Sequence, residues 1–189
     1  MKGKIIVISA PSGCGKSTII NEIMKRGNVD LRFSVSATSR QPRQGEIDGV
    51  HYHFLTEEEF RKRIDEGMFV EYEEVYPGRF YGTPVSEIEQ TVNQGHNVVL
   101  DIDVKGGVNV ARRFGNQATT IFIMPPSVDE LRRRLENRGT DSPEMIDQRV
   151  GKAEYEISFA SGYDHVVVND NLETAVIQTE KIIADFACQ

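Results

Sequence analysis

Eight consecutive residues, Ala10-Pro11-Ser12-Gly13-Cys14-Gly15-Lys16-Ser17, join two glycines, a lysine and hydroxyls directly after the apolar run Ile5-Ile6-Val7-Ile8. A loop of this composition between a buried strand and a helix suits phosphate. Gly13 and Gly15 let backbone N–H groups turn toward an anion, which also meets the positive end of the helix that follows. Lys16 is placed to reach β- and γ-phosphates and Ser17 to offer its hydroxyl to Mg²⁺, with Thr18 in the same nucleotide-binding set. The phosphate-loop pattern begins with glycine, and Ala10 departs from it at that one position. Cys14 lies near a helix N-terminus, where a thiol pKa can fall, but a small residue tolerated in the loop is the plainer reading.

A second group is Val98-Val99-Leu100-Asp101-Ile102-Asp103. An acid at the carboxyl end of a buried strand is the Walker-B arrangement, which makes Asp101 a candidate metal ligand beside Ser17. Strand alternation puts Asp101 and Asp103 on one face. The competing reading has both aspartates capping the turn at Lys105-Gly106-Gly107, and the nearby phosphate loop weighs against it.

Arginines gather at Arg40 and Arg43 and again at Arg132, Arg133, Arg134, Arg138 and Arg149, in a chain with 22 basic and 29 acidic residues and a net charge of -7. A chain this acidic is a poor fit to a nucleic-acid polymer, whereas local positive charge suits a small polyanion in a cleft. Arg132 and Arg133 read as solvated helix surface. His51, His53, His96 and His165 lack zinc-like spacing, and two cysteines make neither a disulfide framework nor a metal cage. No apolar run approaches the roughly 20 residues of a membrane span, and Met1-Lys2-Gly3-Lys4 leads into too short an apolar stretch for a secretory signal, so a cytoplasmic location is expected.

These side chains need a scaffold, and apolar runs alternating with helical patterns predict an α/β fold with a parallel sheet. The 189 residues suffice for one core and a small inserted lobe. Residues 4–9, 97–102, 119–124 and 165–168 read as buried strands, and residues 16–26 as the helix after the loop. Ser127 with Glu130, Ser142 before Pro143, and Asn171 announce further helices. From about 34 to 91 the rhythm changes to short, aromatic-rich alternating runs such as His51-Tyr52-His53-Phe54 and Met68-Phe69-Val70-Glu71-Tyr72. One helix sits among them, with Thr56 and Glu59 in capping-box spacing. An inserted, mostly β lobe of this size is usually functional.

Within that lobe, the stretch from Ser34 to Tyr52, containing Ser39-Arg40-Gln41-Pro42-Arg43-Gln44-Gly45-Glu46, is informative. Taken with Glu71, Tyr81-Gly82-Thr83, Asp101-Ile102-Asp103 and Arg134-Leu135-Glu136-Asn137-Arg138-Gly139-Thr140, it closely resembles the guanylate kinase family, from the first strand to about Leu172. The resemblance implies a P-loop NTPase core at about 1–33, 96–126 and 161–189, a GMP-binding lobe at about 34–95 and a short helical lid at about 127–160. It implies ATP as co-substrate with Mg²⁺, and GMP, with dGMP, as acceptor. Arg40 and Arg43 match the pair that grips the GMP phosphate, helped by Tyr52 and Tyr81, and guanidinium and phenolic donors suit a phosphate dianion. Ser36, Glu71 and Thr83 match the guanine pocket, while Asp101 and Asp103 line the acceptor side. Guanine presents N1–H and N2–H₂ donors, which a carboxylate can accept. Spacing alone leaves Glu71, Glu73 and Glu74 open, and the resemblance selects Glu71. Arg138 and Arg149 match lid residues that close over the moving phosphoryl, and Arg134 a residue nearer the adenine. Asn169 and Asp170 resemble an adenine-edge contact, although Asn-Asp before a helix is also an ordinary turn.

Two other readings compete. A kinase for a different nucleotide on the same core would differ in its preferred monophosphate. A catalytically inactive, protein-binding guanylate-kinase-like domain typically lacks an intact phosphate loop, whereas Lys16 and Ser17 are present here.

Overall fold

The computed structural model describes residues 2–139 and 142–189, apart from the Arg138 side chain. Strand β1 (Ile5–Ser9) lies at the centre of a five-stranded sheet with β2 (Leu31–Phe33), β7 (Asn97–Asp101), β8 (Ala118–Met124) and β9 (His165–Val168), in the order β2-β7-β1-β8-β9. All four pairings are parallel. Buried on both faces, β1 is apolar throughout its first four residues, as a central parallel strand must be. Ile6 and Ile8 pack toward α1 (Lys16–Arg26), α5 (Val128–Arg138), α6 (Pro143–Ile157) and α7 (Leu172–Ala187). Ile5 and Val7 face the opposite layer, with α3 (Val85–Asn93) and α4 (Val104–Phe114).

A second sheet has the order β4-β3-β6-β5, from β3 (Ala37–Thr38), β4 (His53–Phe54), β5 (Phe69–Tyr76) and β6 (Arg79–Pro84). Helix α2 (Glu57–Asp65) closes over it, and Phe60 stacks on Phe69 and Phe80 at 4.4 and 5.3 Å between ring centroids. The capping box at Thr56 is complete, with the Glu59 side chain returning to the Thr56 N–H. At Ser127 only half of it forms, because Glu130 turns instead to Arg133 and Arg134. Ser142 and Asn171 cap α6 and α7 through their side chains, and Pro143 occupies the first turn of α6. Within residues 34–95, α3 belongs by its packing to the parallel sheet: Val85, Ile88 and Val92 join the cluster of Ile5, Val98 and Leu100.

Helix α4 begins where the glycine pair reads as a turn. Asp103 caps it, accepting from the Gly106 N–H at 2.7 Å. The glycines serve close approach: a Cβ at Gly107 would lie 2.3 Å from the Tyr163 hydroxyl, and one at Gly106 would lie 2.8 Å from Glu71 Cγ.

Candidate active site

The loop from Ala10 to Ser17 leaves the carboxyl end of β1 and feeds α1 through Gly13 and Gly15, whose φ angles of 96° and 84° place both in the left-handed region. L-residues with a side chain rarely adopt that conformation. The loop, with Thr18, lines a cavity of about 440 Å³ whose far wall is Asp101, Ile102, Asp103 and Glu156. Backbone N–H groups and the α1 N-terminus supply its anion-binding character. Lys16 Nζ pairs with Asp101 Oδ1 at 2.5 Å and donates to the Ile102 carbonyl at 3.4 Å, and Ser17 Oγ donates to Asp101 Oδ2 at 3.2 Å. A hydroxyl and a carboxylate side by side on a phosphate cavity are hard oxygen donors of the kind Mg²⁺ takes while keeping much of its water. Ser17 and Asp101 therefore fit that ion. Among the described residues no three His, Cys, Asp or Glu side chains converge to hold a metal by themselves.

The Cys14 side chain is buried in the core, while its carbonyl accepts from Asn169 Nδ2 at 2.8 Å. Asn169 is itself buried and approaches Gly15 so closely that a Cβ there would lie 2.6 Å from Nδ2. Its side chain thus braces the phosphate loop. Arg134 donates to the Asn169 carbonyl at 2.8 Å and to Glu130 at 2.8 Å, and it lines a second cavity of about 410 Å³ with Thr18, Asn137, Asp170 and Leu172. Arg149 reaches the loop from α6, donating to Ser12 Oγ at 2.8 Å. The Arg138 side chain lies outside the described residues.

On the other side of the Asp101–Asp103 segment are two further cavities. One, of about 290 Å³, is lined by residues that include Ser36, Tyr52, Thr83, Asp101 and Ile102. The other, of about 450 Å³, holds Glu71, Glu73, Asp103 and Lys105. The antiparallel register sets Glu71 opposite Thr83, whose hydroxyl donates to Glu71 Oε1 at 2.7 Å. Burial pushes the Glu71 carboxyl above its ordinary pKa; the Thr83 bond opposes that rise, and the charges of Asp103 and Glu73 add to it. Asp103, as the α4 cap, lies two residues beyond the end of β7, so strand alternation does not govern it.

Arg40 is fixed more closely than its neighbour Arg43. Its Nη1 and Nη2 each donate to a Glu46 oxygen at 2.6 Å, Nη1 also donates to the Gln41 carbonyl at 2.9 Å, and the buried Nε has no hydrogen-bond partner among the described residues. The guanidinium lies 5.2 Å from the Tyr52 ring centroid, and Tyr52 meets Tyr81 edge-on at 5.9 Å. Glu46 also accepts from the Arg43 N–H at 2.6 Å. Arg40 first, then that N–H, holds the Glu46 carboxyl down at about 2. Both ends of the Arg40 fork are thus committed to Glu46, and its Nε is buried. Glu46 has no role in the sequence reading, although an acid three residues after Arg43 in an arginine loop was the signal for one.

A parallel sheet with a phosphate loop after its central strand, a Walker-B aspartate on the adjacent strand and an arginine-bearing helix pair defines a P-loop nucleotide-binding protein of the phosphotransferase kind. The guanylate kinase family model matches residues 2–186. A guanylate kinase of Bacteroides thetaiotaomicron is 54% identical over 98% of this chain and 91% of its own, and one of Clostridium perfringens is 46% identical over 100% and 86%. The crystal structure of guanylate kinase from Anaplasma phagocytophilum superposes with a TM-score of 0.74 at 33% identity, covering 100% of this chain and 88% of that one. The chain belongs to the guanylate kinase family.

Proposed function

We propose that this chain transfers the γ-phosphoryl group of Mg-ATP to GMP, giving ADP and GDP. One observation carries the reading: the phosphate-loop cavity and the two cavities around Thr83 and Glu71 share the Asp101–Asp103 segment as a common wall. A donor phosphate chain on one side can therefore meet an acceptor nucleotide on the other across the carboxyl end of β7.

In this reading the Glu71 carboxylate accepts from guanine N1–H and N2–H₂, with Thr83 holding its orientation and Ser36 beside the base. Arg40, Arg43, Tyr52 and Tyr81 take the acceptor phosphate. The loop N–H groups and Lys16 hold the donor phosphates, Arg149 approaches from the lid, and Arg134 flanks the adenosine. Ser17 and Asp101 would hold Mg²⁺, which when bound neutralises phosphate charge. A GMP phosphate oxygen is the nucleophile, so no covalent protein intermediate is needed, and catalysis consists of positioning and charge stabilisation. The substrates belong to the cytoplasmic nucleotide pool, so the cytoplasm is the expected location. Among the described residues no helix is long and apolar enough to cross a membrane.

A coupled assay for ADP release, with ATP and each nucleoside monophosphate in turn, tests the proposal. GMP should be the preferred acceptor, with dGMP also accepted. Preference for AMP, CMP or UMP would assign the core to a different nucleotide kinase, and absence of turnover with any acceptor would favour a binding domain.

A further inference from the structure

Glu156 is a carboxylate for which the reaction as described has no use. It ends the inward stripe of α6, following Ile146, Val150 and Ala153, and is only 7% exposed. Its Oε2 is buried and has no hydrogen-bond partner among the described residues. The nearest cation, Lys152, stands 3.7 Å from Oε1, too far for a hydrogen bond, and is 63% exposed. A buried carboxylate with an unused acceptor is costly, and an apolar residue would complete this stripe at lower cost.

The position of Glu156 suggests what it serves. It lines the phosphate-loop cavity on the wall that also carries Asp101 and Asp103. Arg149 lies seven residues earlier, two helical turns away on nearly the same face, and already touches the loop at Ser12. Helix α6 thus presents a cation to the loop at Ser12 and an anion to the cavity read as taking the donor phosphates. The cation suits phosphate oxygens, whereas the anion would repel them. Burial pushes the Glu156 carboxyl above its ordinary pKa, Lys152 and Lys16 pull it down, and Asp103 pushes it up again. A bare polyphosphate would add to that repulsion, so a partner able to donate hydrogen bonds and carry positive charge is required.

We propose that Glu156 accepts hydrogen bonds from the water ligands of the Mg²⁺ that accompanies ATP, so that the lid helix senses a cation-loaded donor. The inference rests on reading this cavity as the Mg-ATP site. Contact through water suits an ion that keeps several of its waters. Glu156 is on this account a positioning residue, acting through water on the ion that Ser17 and Asp101 would hold.

The test is equilibrium binding of the β,γ-imido analogue of ATP, with Mg²⁺ and in EDTA, to the wild-type chain and to Glu156→Gln. Removing a like charge should leave Mg²⁺-free affinity unchanged or up to about 3-fold tighter, while the ratio of the two affinities falls about 10-fold, the usual scale for an outer-shell group. The nucleotide-free variant should melt at the same or a higher temperature, since the cost of burying a charge is gone. Weaker binding in both conditions with a lowered melting temperature would make Glu156 structural and overturn the proposal. An unchanged ratio would overturn it too. Wild-type protein that fails to bind the analogue would remove the Mg-ATP reading itself, an outcome distinct from either.

Discussion

Lys16 is held between the Asp101 carboxylate and the Ile102 carbonyl, at the end of a loop whose backbone already favours anions. In the proposed reaction the value of its ammonium lies in charge stabilisation during transfer. Lys16→Ala should lower kcat by at least about 100-fold with the thermal transition retained, and a folded variant with near-normal turnover would refute the assignment. Glu71 makes a different demand in the proposed reaction, because there the ionised form would bind guanine while burial favours the neutral form. As pH falls through the raised pKa, GMP binding should weaken first, so the acid limb of kcat/KM for GMP sits above the ordinary carboxylate value of 4.5. Stability changes in the opposite sense: the native carboxyl keeps its proton to higher pH than the unfolded chain does, so this group's contribution is greatest below that window and is lost as pH rises through it. Glu71→Gln should remove that acid limb, cost about 2–4 kcal/mol in kcat/KM for GMP and narrow discrimination against AMP, with KM for ATP little changed. Unaltered selectivity would move the guanine reader elsewhere, with Glu73, on the same strand face, the first to test.

Helix α4 shows where local sequence signals mislead. Asp103, followed by glycines at 106 and 107, has the composition of a turn, and glycine costs a helix about 1 kcal/mol relative to alanine. Tertiary contact overrides that preference, since Tyr163 on one side and Glu71 on the other need the space. Gly107→Ala therefore sets a propensity gain of about 1 kcal/mol against a Cβ placed 2.3 Å from a buried phenol oxygen that donates to the Val104 carbonyl. Overpacking in a tight core costs about 1–3 kcal/mol. The net effect should be destabilising, read as a lower urea midpoint at constant slope, and a midpoint at or above wild type would mean that Tyr163 yields freely. Elements with a complete local signal were legible: β9 spans the residues expected, α1 likewise, and the caps at Thr56, Ser142 and Asn171 all form. Helix α3 was hidden because it follows β6 directly, with Pro84 as its N-cap and no side-chain cap bond to announce it.

At the scale of the molecule, the phosphate loop and its Walker-B partner could be read because their residues are neighbours in sequence or end adjacent strands. The bracing of Cys14 by Asn169, 155 positions away, could not. Nor could Glu156, whose surroundings exist only once α6 lies across the loop. The same separation shapes the expected motion. Strands β3 to β6 form a sheet of their own, and the cavity that would take the acceptor has walls from both sheets: Thr83 from one, with Ser36 just ahead of β3, and Leu100 and Asp101 from the other. A ligand gripped by both walls favours whatever arrangement brings them together, by as much as its affinity differs between the open and closed arrangements. GMP binding should therefore draw the lobe toward the core. Spin labels at Gln44→Cys in the arginine loop and Glu154→Cys on α6, both exposed, would report it by pulsed dipolar spectroscopy. Exposed Cys188 is replaced by serine in that protein, whereas Cys14, 1% exposed, can stay because reagents should not reach it. The label separation should shorten with GMP, remain unchanged with AMP, and lose its GMP response when Arg40→Ala removes the phosphate grip. A distance indifferent to GMP at saturation would mean that the two sheets move as one body, with the acceptor site already formed before the ligand arrives.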